Sequence, residues 1–256
     1  VAPGIRPRAP EVPIHRLVLW NIDLTLLDVG RVTRAAYVDA FRKVTGRPLV
    51  RLPQTAGRTE SETFFDALAL NVTDSRTSHP AGEELLGRFA GELASEFRTR
   101  RAQLTQQGRL LPGARAAVAE VGGLPGVVQT LLTGAIKANA IEKLQAFGLE
   151  PFFDTDVGGY GSEVFPKGAL LLNARRRAAE KYGVEFTEDA TVYIADSTRD
   201  VAAARMGGAR SVAVASGRSS AAELRDAGAD VVLADLADTA NVVRAVDWLT
   251  TWPTAG

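Results

Sequence analysis

The chain has 256 residues and no cysteine, and its 30 Lys and Arg balance 30 Asp and Glu, so the formal net charge is zero. The missing thiols exclude a disulfide framework, a cysteine-ligated zinc or iron–sulfur centre and a thiol nucleophile. The balanced charge argues against nucleic-acid binding through a broad basic surface. With 46% apolar and 23% charged residues the composition is that of a folded globular chain, long enough for one large domain or a main domain with a smaller one.

Residues 1–15 contain Pro3, Pro7, Pro10 and Pro13 and no apolar run; they read as a flexible arm rather than a signal peptide. No stretch has the apolar length that a membrane span needs, since the longest candidate, Val121–Leu132, is broken by Gly and Pro. A soluble, cytoplasmic protein is expected. Leu17–Trp20 is a short apolar run, the pattern of a strand buried on both faces. From Val29 to Gln107 only helical spacing appears, as in Ala36, Ala40, Phe41 and Val44, or Leu85, Leu86, Phe89, Leu93 and Phe97.

Strands and helices then alternate. A helix over Ala114–Val121 precedes a strand over Val127–Leu132, and a helix over Ala138–Phe147 precedes a short strand around Asp154–Val157. A helix from Gly168 to Tyr182 follows, then a strand at Thr191–Ala195, a helix at Arg199–Met206 and a strand at Ser211–Ala215. Last come a helix at Ser220–Ala227, a strand at Val231–Leu233 and a helix at Thr239–Leu249. This order predicts a Rossmann-like α/β core with a parallel sheet, divided as 16–28 and 109–256, and an inserted α-helical cap over 29–108. An insertion after the first strand sits at the carboxyl edge of the sheet, where open α/β sheets bind ligands.

Four stretches at strand ends bear the chemistry. Asp196 and Asp200 are carboxylates across a strand-to-helix turn, and such carboxylates with phosphate oxygens and water hold Mg²⁺. Thr133, before Gly134, offers a hydroxyl and nearby backbone N–H groups to phosphate oxygens, or is simply a helix cap. Lys167 supplies positive charge against a phosphoryl group, with Lys137 and Arg199 as rival cations. Asp23, two residues after Asn21, is suited to general acid–base work. Several other residues read as structural: His15 and His79 as exposed surface, Trp248 and Trp252 as packing for the last helix, and Arg175–Arg177 as a solvated helix face.

In this order these motifs resemble the haloacid dehalogenase-like (HAD) hydrolases, over about Leu17 to Val214, with Pro112-Gly113 also typical of the family. The helical insertion looks like the family's C1 cap. Ala56–Glu60, Gly159–Ser162 and Ser216–Ser220 further resemble phosphoglycolate-type and pseudouridine-monophosphate-type phosphatases. The resemblance implies a Mg²⁺-dependent phosphomonoesterase that acts on a small phosphorylated metabolite through an aspartyl phosphate. It places Asn21, Asp23, Thr133 and Lys167 in the catalytic set and Asn21, Asp23, Asp196 and Asp200 around the metal. Thr25 and Gly134 join the substrate contacts; Arg58, Glu62 and Tyr160 are either substrate contacts or structural. A dehalogenase is disfavoured by the Asp at position 23, whereas a phosphomutase would share the core.

Three positions depart from the family pattern. The nucleophilic aspartate is replaced by Asn21, and an amide is not a competent nucleophile towards phosphorus. Ala135 stands where Asn is common, and Ala195 where Gly is usual. Asn21 is explained either by a deliberate Asp-to-Asn change that traps substrate, or by a natural pseudoenzyme that binds a phosphorylated ligand or a protein partner. Nucleic-acid and membrane partners are not expected, and the oligomeric state is not readable.

Overall fold

The computed structural model describes residues 15–71, 80–163 and 166–250. Most of the N-terminal arm, His79 and Trp252 lie outside the described residues. The first strand, β1 (Arg16–Trp20), leads through a tight loop to β2 (Leu27–Asp28). Four helices follow: α1 (Gly30–Thr45), α2 (Glu60–Asn71), α3 (Pro80–Thr99) and α4 (Arg101–Gln107). The chain returns along β3 (Arg109–Leu110), which pairs antiparallel with β2, so the inserted helices leave and rejoin the core through a two-stranded ribbon.

The remaining elements alternate: α5 (Ala114–Gly122), β4 (Val127–Thr133), α6 (Lys137–Ala146), β5 (Gly159–Tyr160) and α7 (Lys167–Tyr182), then β6 (Thr191–Ala195), α8 (Thr198–Gly207), β7 (Arg210–Val214), α9 (Ala221–Asp226), β8 (Val231–Leu233) and α10 (Thr239–Thr250). The sheet order is β5-β4-β1-β6-β7-β8, with every pairing parallel. After β1 the chain builds one side of the sheet and then crosses to the other at β6. The carboxyl ends of β1 and β6 therefore meet at the switch point where such sheets open a crevice.

The fifth strand falls later than the sequence suggests. Asp154–Val157 forms turns, and the pairing with β4 is made by Gly159 and Tyr160. Asp154 is instead held by Lys181 and Tyr182, and Gly159 admits the close approach of Leu170 O, 2.7 Å from where a Cβ would lie. Two surface expectations also change. Trp248 is 68% exposed on α10 and does not pack that helix, because Val242, Ala245, Val246 and Leu249 form its buried face. Of the three arginines on α7, only Arg176 is a solvated residue paired with Glu180. Arg175 donates to the carbonyls of Phe186, Gly207 and Gly208, and Arg177 binds Gly158 and Glu163.

The helical insertion has an aromatic centre. Phe64 stacks on Phe89 at 4.4 Å between ring centroids, and Tyr37 meets Phe89 edge-on at 4.9 Å, contacts that favour specific packing beyond area burial. These rings are continuous with the core on one sheet face, including Trp20, Leu131 and Ile194. On the opposite face α7 and α8 pack closely. A Cβ at Gly168 would lie 2.6 Å from the Met206 sulfur, and one at Gly207 would lie 2.7 Å from Leu171 Cβ. Two glycines thus seat the first turns of α7 against the end of α8, while Lys167 at the start of α7 reaches Asp200 in the first turn of α8.

Candidate active site

The loop after β1 carries Asn21, Asp23 and Thr25. Leu24 within it has φ of 60°, a left-handed conformation that is costly for a residue with a γ-branched side chain. The surroundings impose it: Leu24 N–H donates to Leu27 O, and Ser216 Oγ donates to Leu24 O. The turn directs Asn21 inward to meet the residues that follow β6 and begin α7.

Asn21 is buried between unlike charges. Lys167 Nζ donates to Asn21 Oδ1 at 3.3 Å, while Asn21 Nδ2 donates to Asp196 Oδ1 at 2.9 Å and to the Asp23 carbonyl at 3.0 Å. This fixes the amide's orientation. Reversing it would set N–H groups against the ammonium and a carbonyl oxygen against the carboxylate. Thr25 Oγ1 also donates to Asp196 Oδ1, at 2.9 Å. The Asp196 carboxyl is pushed up to about 6 by burial and then by the charge of Asp200, with Thr25, Lys167 and Asn21 offsetting part of the rise.

Lys167 is the first residue of α7, where a cation opposes the helix dipole. It is held there by Asp200, whose Oδ1 accepts from Nζ at 2.6 Å. Asp200 also accepts from Tyr193 Oη at 2.9 Å and from the hydroxyl of Ser197, the N-cap of α8. Burial keeps the Tyr193 hydroxyl protonated. Asp200 thus stands behind Lys167. Its rival Lys137 lies at the surface against Asp156, and Arg199 is exposed.

A cavity of about 460 Å³ opens over these groups, bordered by Asn21, Asp23, Thr133, Gly134, Lys167 and Asp196, and on the side of the inserted helices by Arg34, Tyr37 and Arg58. Asp23 is 41% exposed and faces Lys143 Nζ, which donates to both its carboxylate oxygens, at 2.7 and 2.9 Å. Thr133 Oγ1 accepts from Ala135 N–H at 3.2 Å. Ala135 and Ala195 are both accommodated: Ala135 lines the cavity, and Ala195 packs in the core beside Leu17 and Leu170.

The structure does not bring every candidate into the cavity. Glu62 caps its own helix by accepting from Thr59 N–H at 2.8 Å, Tyr160 is buried with its hydroxyl on Thr155 O, and Thr25 is spent on Asp196. Arg58 reaches the cavity but is paired with Asp66. The start of α6 also differs from expectation. Ile136 N–H donates to Glu60 Oε2 at 2.7 Å, so part of the anion-binding helix end is taken by a carboxylate from α2. The backbones touch as well: Glu60 N–H donates to Gly134 O at 2.8 Å, and a Cβ at Gly134 would lie 1.9 Å from Arg58 O.

Burial raises the Glu60 carboxyl from 4.5 to about 7, against the lowering effects of Lys143 and the Ile136 N–H. In the unfolded chain the group ionises near 4.5, so the stability it contributes is full below that value and is lost as pH rises to about 7. Glu60→Gln should therefore match the parent near pH 5 and gain on it by up to about 3 kcal/mol near pH 8. Thermal melting at the two pH values checks this, and identical pH dependence of the two proteins would contradict it.

Lys143 and Glu60 were not singled out in the sequence. The available signal was Asn139 and Lys143, a polar pair one helical turn apart on the face that buries Ala140 and Leu144.

A divalent cation does not fit the residues as they stand. Mg²⁺ requires oxygen ligands, usually with more than one negative charge. Here Asn21 turns an N–H donor towards the two oxygens, Asp196 Oδ1 and Asp23 O, that would face the ion, and Asp200 is engaged by Lys167. Among the described residues no group of three or more His, Cys, Asp or Glu side chains could hold a metal ion.

Comparison with known proteins agrees with this architecture. The haloacid dehalogenase-like hydrolase model matches residues 18–205, and a second, HAD-hydrolase-like model matches residues 172–239. No curated protein matches the chain in sequence. Among solved structures, a predicted phosphatase from Clostridium acetobutylicum is 18% identical with a TM-score of 0.66, covering 90% of this chain and 99% of its own. A predicted phosphoglycolate phosphatase from Haemophilus somnus is 16% identical with a TM-score of 0.58, over 89% and 97%. CbbY from Rhodobacter sphaeroides, in complex with phosphate, is 18% identical with a TM-score of 0.58, over 88% and 96%. These likenesses show the fold, and with a family model that spans most of the sequence they establish that the chain belongs to the haloacid dehalogenase-like hydrolases.

Proposed function

We propose that the cavity binds the phosphoryl group of a small phosphorylated metabolite. With aspartate at position 21 the protein would be a phosphomonoester hydrolase, and with Asn21 it would bind without turning over. The observation that supports this is the Lys167 ammonium, buried at the cavity floor between Asp200 and residue 21, with Thr133 and Gly134 beside it. Such an arrangement stabilises charge on a transferring phosphoryl group.

In the hydrolytic form an aspartate at position 21 attacks phosphorus in line and the bond to the ester oxygen breaks. Asp23 protonates the departing alkoxide and then takes a proton from the water that opens the aspartyl phosphate. The same aspartate would supply the second carboxylate that the site needs to hold Mg²⁺ beside Asp196. Asn21 offers neither a nucleophile nor that charge, which leaves phosphate recognition as the function of the present chain. A panel of sugar phosphates, nucleotides and phosphorylated small acids, assayed with MgCl₂ against the chain and its Asn21→Asp variant, tests both halves. The variant should hydrolyse at least one class while the present chain stays at background.

A further inference from the structure

Lys143 belongs to the core, yet its surroundings are largely supplied by the inserted helices. It lies on α6 with its side chain 1% exposed. One side of the ammonium is closed by the Phe97 ring of α3, 5.3 Å from Nζ to the centroid. Glu60, the first residue of α2, is close enough for the lysine charge to be felt at its buried carboxyl. The remaining direction is filled by Asp23, through both carboxylate oxygens. A buried ammonium must be paired, and its flexible stem leaves it free to follow its partner.

We propose that Lys143 is a positioning residue for the acid–base carboxylate Asp23, and that the inserted helices set its position through Phe97 and Glu60. This rests on the hydrolytic reading of the site above. Asp23 is 41% exposed at the cavity wall, and Lys143 donates to both of its carboxylate oxygens. The two-point contact selects one carboxylate orientation, and the walls from α2 and α3 keep water from competing for the ammonium. Of the buried positions of α6, Ala140 and Leu144 are apolar, while Asn139 and Lys143 bring polar groups into the same face.

The test compares leaving groups in the Asn21→Asp background. An alkyl phosphate depends on proton delivery to its leaving oxygen, whereas p-nitrophenyl phosphate hardly does. Lys143→Met is expected to lower kcat for the alkyl ester by about tenfold to a hundredfold, up to the lower end of general-acid contributions, because the acid is displaced rather than removed. For p-nitrophenyl phosphate the loss should stay below about threefold, with KM little changed for either, and Lys143→Arg should recover part of the loss. An equal fall for both esters, or a rise in KM alone, would overturn the proposal. A second measurement uses the present chain: melting midpoints of Lys143→Met, Asp23→Asn and the double variant. A double loss clearly smaller than the two single losses added together supports the pairing, and strict additivity overturns it. If Asn21→Asp hydrolyses neither ester, the hydrolytic reading fails, and the melting cycle still decides whether Lys143 holds Asp23.

Discussion

Asn21→Asp is expected to raise phosphomonoester turnover by a factor on the order of 10³ or more, within the range found when a covalent nucleophile is removed from an enzyme that depends on it. The gain corresponds to about 4 kcal/mol or more of activation free energy. It should be accompanied by a change in metal dependence that needs no activity to be seen. Asn21 now donates to Asp196 at 2.9 Å; an aspartate there would place two carboxylates in contact, one of which, Asp196, is already raised to about 6. Like charges at that distance cannot both ionise without help. Without a divalent cation the variant should therefore melt below the present chain. Millimolar MgCl₂ should raise its melting midpoint while leaving that of the present chain almost unmoved, because only the variant binds the ion in its folded state. Turnover that stays at background and a Mg²⁺ response shared equally by both proteins would together remove the assignment of position 21.

Lys167→Met should be the most damaging single change to the core of the site. It removes the only ammonium bonded to Asp200 among the described residues and leaves that buried carboxylate with only the hydroxyls of Tyr193 and Ser197 and a helix N-terminus. Breaking one side of a buried ion pair costs about 3–5 kcal/mol, which for a chain of this size lowers the melting midpoint by about 10 °C. Its pH dependence follows from Asp196. That carboxyl is already raised from 3.8 to about 6, and the Lys167 charge is among the groups that hold it down. Without the lysine it rises further, so its contribution to stability is kept below about pH 4 and lost as pH rises through the higher folded value. The part of the deficit that comes from Asp196 should be small near pH 4 and full near pH 8. Phosphate should protect the parent against thermal unfolding and have no effect on the variant. A loss that does not change with pH would mean that Asp196 is not coupled to Lys167.

Much of the architecture follows from local pattern. Alternating apolar runs and helical stretches after Pro112 determine a parallel sheet, because each strand is followed by a helix long enough to cross back over it. The helical spacing of 29–107, with no strand pattern within it, identifies an insertion between two strands. The short fifth strand escaped this reasoning: a two-residue strand has no periodicity, and Asp154–Val157 offered the more strand-like composition. Trp248 escaped it too, since a helix of known face does not reveal how far a neighbouring surface extends. At the site, residue types and order single out Asn21, Asp23, Thr133, Lys167, Asp196 and Asp200, all of which lie at the carboxyl edge of the sheet. Local sequence could not separate Glu62 and Tyr160, which cap and pack, from true cavity residues.

The sequence by itself determined which chemical groups are available, the order of the elements that carry them, and that position 21 holds an amide. Only the tertiary structure decided what each group faces. The Asn21 amide is oriented by Lys167 and Asp196, 146 and 175 residues away. The Asp23 carboxylate is taken by Lys143, 120 residues away, and the start of α6 by Glu60, 76 residues away. Periodicity encodes which face of an element is buried, since that depends on spacing along the chain. The partner met on that face depends on strand order and on how the inserted helices settle against the sheet. Those are properties of the packed whole, and they place a lysine against the Asp23 carboxylate and an N–H donor against Asp196 Oδ1.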